Sequence, residues 1–283
     1  MSEVFDPTRC ELGEGPLWHP AREQFLWFDI NKYQLLIREG AKTRVVQFNE
    51  HVSAAGWVDD SSVLVASETR LFLFDLDRER SEDVEGLEPD NPLTRSNDGR
   101  ADPWGGFWIG MMGKDHETAA GAIYRYYKGE LRKLYPNISI PNAMCFSPNR
   151  KHAYYTDTVT HQIMRQALEA DRGWPTGDPE VFIDLTSDGL HPDGAVVDAE
   201  GNLWCAMFGT GQVIAFSPDG ERVTDISFDA PQTTCPAFGG TDLTSLYCTS
   251  AARDMAKDDS KPHGAVFVQH EVTRGQAEHR VRL

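Results

Sequence analysis

No run of apolar residues in this chain approaches the ~20 needed to cross a bilayer as a helix, so a membrane-spanning role is not expected. Cysteines are few and unpaired in pattern. The five, Cys10, Cys145, Cys205, Cys235 and Cys248, are odd in number and lack any C-x-x-C spacing. That argues against a disulfide framework and against a thiolate metal site. Most of them sit inside strand-like apolar runs, which fits buried thiols in a reducing compartment. The opening MSEVFDPTRC lacks the basic and apolar regions of a secretory leader, and the expected location is the cytoplasm. Positive charge is scarce as well: 27 Lys and Arg face 44 Asp and Glu, for a net charge of -17. Such a surface disfavours nucleic acid and anionic membranes as partners. No feature calls for an obligatory protein partner. A G-x-S-x-G nucleophile motif is missing, which argues against a covalent serine esterase. Proline-rich, serine-rich and low-complexity linkers are missing too, and helical periodicity is weak throughout. One all-β domain over residues 1–283 is the expectation.

What the chain does have is a repeat. One register recurs at Glu14, Ala54, Asn97, Asn142, Asp193 and Cys235, with spacings of 40, 43, 45, 51 and 42 residues. Each copy opens a short apolar strand, turns, and returns as a second strand, as in DGAVVDAEGNLWCA and CPAFGGTDLTSLYCT. A third strand-like run follows: QLLIR, LFLFD, AIYRY, QIMRQ, QVIAF and AVFVQ. The VFIDL segment in the longest insert reads as a fourth, outer strand. Six all-β units at this period predict a six-bladed β-propeller with four-stranded antiparallel blades. A ring needs closing, and EVFDPTR or EHRVRL is expected to complete the last blade.

A propeller gathers equivalent positions of successive blades around one axis. Glycines at Gly15, Gly99 and Gly194 allow a sharp entry into the innermost strand, so the register side chains are expected just before that strand, projecting into the channel. Four of the six are polar and able to coordinate a metal: Glu14, Asn97, Asn142 and Asp193. Two carboxylates packed with an amide oxygen in a narrow mouth call for a neutralising cation. Oxygen ligation favours a hard divalent ion. With Glu14, Asn142 and Asp193 as its only protein ligands, open positions would remain for water and substrate, as in a catalytic site.

Four motifs, LGEGPLWHP (12–20), RSNDGRADPWGGFW (95–108), IPNAMCFSP (140–148) and HPDGAVVDAEGNLW (191–204), resemble the regucalcin/gluconolactonase family of six-bladed propellers. The resemblance covers nearly the whole chain, in order. It implies one divalent metal at the channel mouth, with Glu14, Asn142 and Asp193 as matching ligands, and hydrolysis of a sugar lactone. Ca²⁺ and Zn²⁺ stand first for the metal, with Mn²⁺, Mg²⁺ and Fe²⁺ admissible. It further implies that Arg95 and Asn97 donate to the substrate's oxygens and that Asp115 meets the sugar. Asp193 is the expected general base. The chain departs from the family in placing Ala143 where glycine usually follows the ligand asparagine, and in having Asp115 for a longer glutamate.

Several other residues have plainer readings. Asp98 is expected to orient Arg95 or cap its turn, and Asp59, Asp102 and Asp198 to shape inter-strand turns. His191 stands close enough to Asp193 to line the pocket. Lys114 and His116 lie in the GKDHETAAG loop, readable as a lid or as ordinary surface. Trp18, Trp27, Trp57, Trp108 and Trp204 are expected in the packing between blades. Two other functional classes remain open: a non-enzymatic calcium-binding regulator or scaffold, and a metal-dependent phosphotriester hydrolase on the same fold.

Overall fold

The structure, a computed structural model, describes residues 2–258 and 260–283. Its strands form six separate four-stranded antiparallel sheets, as expected of a six-bladed propeller. The innermost strands are Gly13–His19, Val52–Trp57, Thr94–Ala101, Pro141–Phe146, His191–Val197 and Thr233–Gly239. All six runs read as third strands occupy that place, and Glu180–Asp184 is the outer strand of the fourth blade. No helix among the described residues is long and apolar enough to cross a membrane.

Both faces of each blade are buried, because each blade packs against two neighbours. In the strand Gln24–Asp29, Leu26 and Phe28 pack toward the second blade, and Phe25 and Trp27 toward the sixth. That is the two-residue period of a pleated strand. The buried apolar residues divide into six clusters, one at each blade contact. Trp18, Trp27, Trp57, Trp108 and Trp204 fall in or against these clusters, and all five cysteines are buried and free. The core is therefore a ring of wedges around a channel that no side chain cluster needs to fill.

The register residues lie inside the inner strands rather than just before them, and a β-bulge explains how they still face the channel. In every blade the pairing of the inner strand slips at or beside the register position. A bulge leaves one residue without a ladder partner and re-aims its side chain. At Gly15 the backbone is left-handed (φ 54°), and an added Cβ would lie 2.1 Å from the Ser53 carbonyl oxygen. The equivalent Ala143 takes the same conformation (φ 59°), so the departure from glycine changes the residue and not the backbone.

Of the two segments able to close the ring, the N-terminal one does so. Residues Glu3–Asp6 pair with Val266–Gln269 as the outer strand of the sixth blade. Phe5 packs on Phe25 and Tyr247, and Asp6 binds Arg38 at 2.6 Å. The EHRVRL segment instead crosses the opposite end of the channel. There Val281 N–H donates to Trp57 O, Arg282 N–H to Gly105 O, and Glu278 pairs with Arg100. Removing residues 1–6 should lower the melting temperature by about 5–10 °C, the effect of losing ~2–3 kcal/mol in a domain of this size. An unchanged melting curve would show that the closing strand contributes nothing.

Candidate functional site

The polar register residues converge on one cavity of about 120 Å³ at the end of the channel where the inner strands begin. Glu14, Asn97, Asn142 and Asp193 line it, together with Arg95. All five are buried. Leu12, Met112, Ile140 and Phe208 supply an apolar wall.

The amides are fixed by a chain of hydrogen bonds. Thr158 donates its hydroxyl proton to Pro192 O at 2.8 Å, so its oxygen accepts from Asn142 Nδ2 at 2.9 Å. That orients Asn142 Oδ1 toward Asn97, whose Nδ2 donates to it at 2.9 Å and to Pro141 O at 3.1 Å. Arg95 Nη1 donates to Asn97 Oδ1 at 2.8 Å and to Ser96 O at 2.9 Å. Both N–H bonds of Asn97 are thus engaged within the protein. What it presents to a ligand is a lone pair on Oδ1, an acceptor where a donor was expected.

The two carboxyls have the opposite problem. Among the described residues Glu14 receives one hydrogen bond, from Gly15 N–H at 3.1 Å, and neither Glu14 nor Asp193 forms a salt bridge. Burial first, and then the charge of Asp98, push Glu14 up to about 8, with the Gly15 N–H and Arg95 opposing. Asp193 is raised well above the ordinary carboxylate range by burial, then by Glu14 and Asp98. Burial lowers Arg95 to about 10, still protonated at neutral pH, with Glu14 resisting and Arg253 adding to the fall. Two buried, poorly solvated carboxyls beside an oriented amide oxygen suit a divalent cation on chemical grounds. No three His, Cys, Asp or Glu side chains cluster among the described residues, so an acid-only site is not the alternative.

Asp98 plays a different part from the one read for it. Its Oδ2 accepts Met144 N–H at 2.8 Å, and its opposing charge is Arg100 rather than Arg95. Arg100, held protonated despite its burial by Glu278, links Asp98 to the C-terminal segment. Asp59, Asp102 and Asp198 accept the backbone N–H groups of their turns, as expected.

Asp115 is exposed on the loop after Phe107–Gly113 and does not line the cavity. Its neighbour His116 does. Arg253, from the loop after the sixth blade's strand Ser245–Ser250, lines the same wall and donates to His116 Nε2 at 2.8 Å. Lys114 is drawn away into a salt bridge with Glu68 at 2.8 Å. His191 is exposed and packs at a tilt against His161 rather than lining the cavity. Sequence reading missed Arg253 and Thr158. Neither falls on the repeat register, and the only signal for Thr158 is its place in the turn that follows Asp157.

With this geometry in hand, comparison with known proteins is informative. The SMP-30/gluconolactonase/LRE-like family model matches residues 12–252. The chain belongs to that family. It is 40% identical to a calcium-binding protein, regucalcin, from Agrobacterium tumefaciens, whose crystal structure superposes with a TM-score of 0.97 over 100% of this chain and 98% of that one. A Rhizobium meliloti protein with a provisional sugar lactone lactonase name is 38% identical over 96% of this chain and 94% of its own. An L-arabinolactonase of Azospirillum brasilense is 32% identical over 95% and 92%.

Two measurements check the site. Thr158→Val removes the group that orients Asn142 and should weaken divalent-metal binding by roughly 10-fold in calorimetry, the usual effect of losing a partner behind a ligand. Unchanged affinity would mean that Asn142 needs no such support. Glu14→Gln should stabilise the metal-free protein. A carboxyl whose folded pKa of about 8 exceeds its unfolded value of 4.5 contributes stability that is fully present below the unfolded value. That contribution is lost as pH rises toward 8, because the unfolded state ionises first. The gain from the substitution should therefore grow between pH 5 and pH 8, to on the order of 2 kcal/mol. Chelated wild type and variant melting alike at every pH would refute the buried-charge account.

Proposed function

We propose that this protein is a metal-dependent hydrolase that opens a sugar lactone to the aldonic acid. The observation that carries the reading is the convergence of Glu14, Asn142 and Asp193 with Arg95 and Asn97 in one small buried cavity, in a chain whose family relatives bear lactonase names. Its size suits a single sugar ring, being well below the range of drug-sized pockets.

Glu14, Asn142 and Asp193 hold a divalent ion, with Ca²⁺ and Zn²⁺ the first to test. When bound, that ion supplies Lewis acidity toward the lactone carbonyl and the attacking water. Asp193 accepts the proton of that water as its oxygen bonds to the carbonyl carbon. The bond from that carbon to the ring oxygen then breaks, its electron pair passing to the ring oxygen, and Asp193 returns the proton there. One water is consumed and one hydroxy acid formed. Arg95 directs its guanidinium at the substrate's oxygens, while Asn97 accepts from a sugar hydroxyl and holds Asn142 in place. Met112 and Phe208 on the apolar wall keep bulk water from the reacting face. The free buried thiols fit a reducing cytoplasm.

A purely calcium-holding role draws on the calcium-binding neighbour but gives no purpose to Arg95, a buried cation beside the ligands. A phosphotriester substrate fits poorly in a cavity with so many hydroxyl-matching groups. The test is acid release from gluconic, galactonic, xylonic and arabinonic lactones after chelation and again after each metal is restored. Turnover should vanish and return with metal. Asp193→Asn should lower kcat by roughly 10²–10⁴-fold, the usual worth of a positioned base. Chelator-insensitive turnover would remove the metal from the scheme, and wild-type kcat in Asp193→Asn would remove the base.

A further inference from the structure

The cavity has two chemically distinct sides, and only one is explained by a metal and a lactone carbonyl. Glu14, Asn142 and Asp193 form the first. The second carries the cations Arg95 and Arg253, with His116 against Arg253. Arg95 uses only Nη1 for its protein hydrogen bonds. Among the described residues no acceptor meets its Nε or Nη2, and neither atom is sealed in the core. Those two N–H groups form one edge of the guanidinium fork, the edge that takes a carboxylate or phosphate through two parallel hydrogen bonds.

Arg253 reaches the cavity from another blade and is aimed by His116. Its Nη1 donates to His116 Nε2, so the imidazole is neutral with its proton on Nδ1, and the positive charge stays on Arg253. The acids near this wall are already engaged or turned outward. Glu68 is taken by Lys114 and His51. Glu117 accepts the Asp115 N–H, and Asp254, which pairs with Arg253 Nε at 3.4 Å, is 87% exposed. A divalent ion would cancel the charges of Glu14 and Asp193 and so remove Arg95's nearest compensation. The loaded cavity would then hold uncompensated positive charge on a chain whose net charge is -17.

We propose that Arg95, Arg253 and His116 form an anion subsite, and that the sugar lactone this cavity takes bears a second, negatively charged group. That group is a carboxylate or phosphate at the end of the carbon chain remote from the lactone carbonyl. The proposal rests on the lactone-hydrolase reading for the reaction, and on the cationic wall for the substrate. His116 is a positioning residue, acting through Arg253.

Pairs of lactones of equal ring size test it with the metal-loaded protein: five-membered gluconolactone against the matching glucarolactone, and six-membered gluconolactone against its 6-phosphate. The charged member of at least one pair should have a kcat/KM about tenfold or more higher, and that advantage should shrink as salt rises. Which pair responds separates a carboxylate from a phosphate. Arg253→Gln should reduce the charged-to-neutral ratio about tenfold, and His116→Ala should reduce it in the same direction. Equal kcat/KM within both pairs, or a ratio untouched by Arg253→Gln, overturns the proposal while leaving lactone hydrolysis intact. Calorimetry with the open-chain products makes the two readings separable. Glucarate or 6-phosphogluconate binding more tightly than gluconate, with the difference lost in Arg253→Gln, supports the subsite even if no lactone is turned over. Equal binding of all three acids overturns it.

Discussion

Three carboxyls, Glu14, Asp98 and Asp193, share a narrow channel with two guanidiniums, Arg95 and Arg100, and all five are buried. Charges so confined must be balanced locally, because desolvation costs each of them several kcal/mol. The far end of the channel reaches that balance with protein groups alone: Asp98 faces Arg100, and Arg100 faces Glu278 of the C-terminal segment. The near end does not. Glu14 and Asp193 have backbone N–H groups and Arg95 to oppose their burial, and both are still raised above the ordinary carboxylate range. The fold thus balances the charges at one end of its axis with protein groups and leaves two poorly compensated carboxyls at the other.

The same six-fold geometry serves both ends through the inner strands. Their first residues, displaced by bulges, provide the side chains of the cavity. Their last residues receive the strap formed by residues 275–283, with Gln276 Nε2 donating to Phe146 O and Val197 O. The strap covers that end, and the cavity lies at the other. The hydrogen-bonded line Pro192–Thr158–Asn142–Asn97–Arg95 ties three neighbouring blades at the cavity end. Asn142 and Arg95 are therefore parts of one network, and disturbing either member reaches the other.

Much of this could be read from the sequence because the repeat is a physical constraint on every blade. The register at Glu14, Asn97, Asn142 and Asp193 and the third strands QLLIR through AVFVQ follow from a two-residue period and a fixed blade length. The bulges were not legible, since the slip in pairing depends on both strands and leaves no single-residue mark beyond Gly15 and Gly194. The closing strand was ambiguous because EVFD and HRVRL alternate equally well, and only packing of Phe5 on Phe25 and Tyr247 separates them. The cationic wall escaped because His116 and Arg253 sit on loops outside the repeat, far apart in sequence. An acidic contact was expected at Asp115, and it is the neighbouring His116, itself exposed, that borders the cavity.

Ring closure by Glu3–Asp6 also sets a schedule for folding. Within each of the first five blades every strand pairs with a neighbour a few residues away, so these hairpins form early from local contacts. The sixth blade alone waits for segments far apart in sequence to meet, because its outer edge is supplied by Glu3–Asp6. Until then Val266–Gln269 presents an open strand edge, and the blades form an incomplete arc. The channel mouth, which draws residues from the first, third, fourth, fifth and sixth blades, acquires its final spacing only when that last and most distant pairing is made.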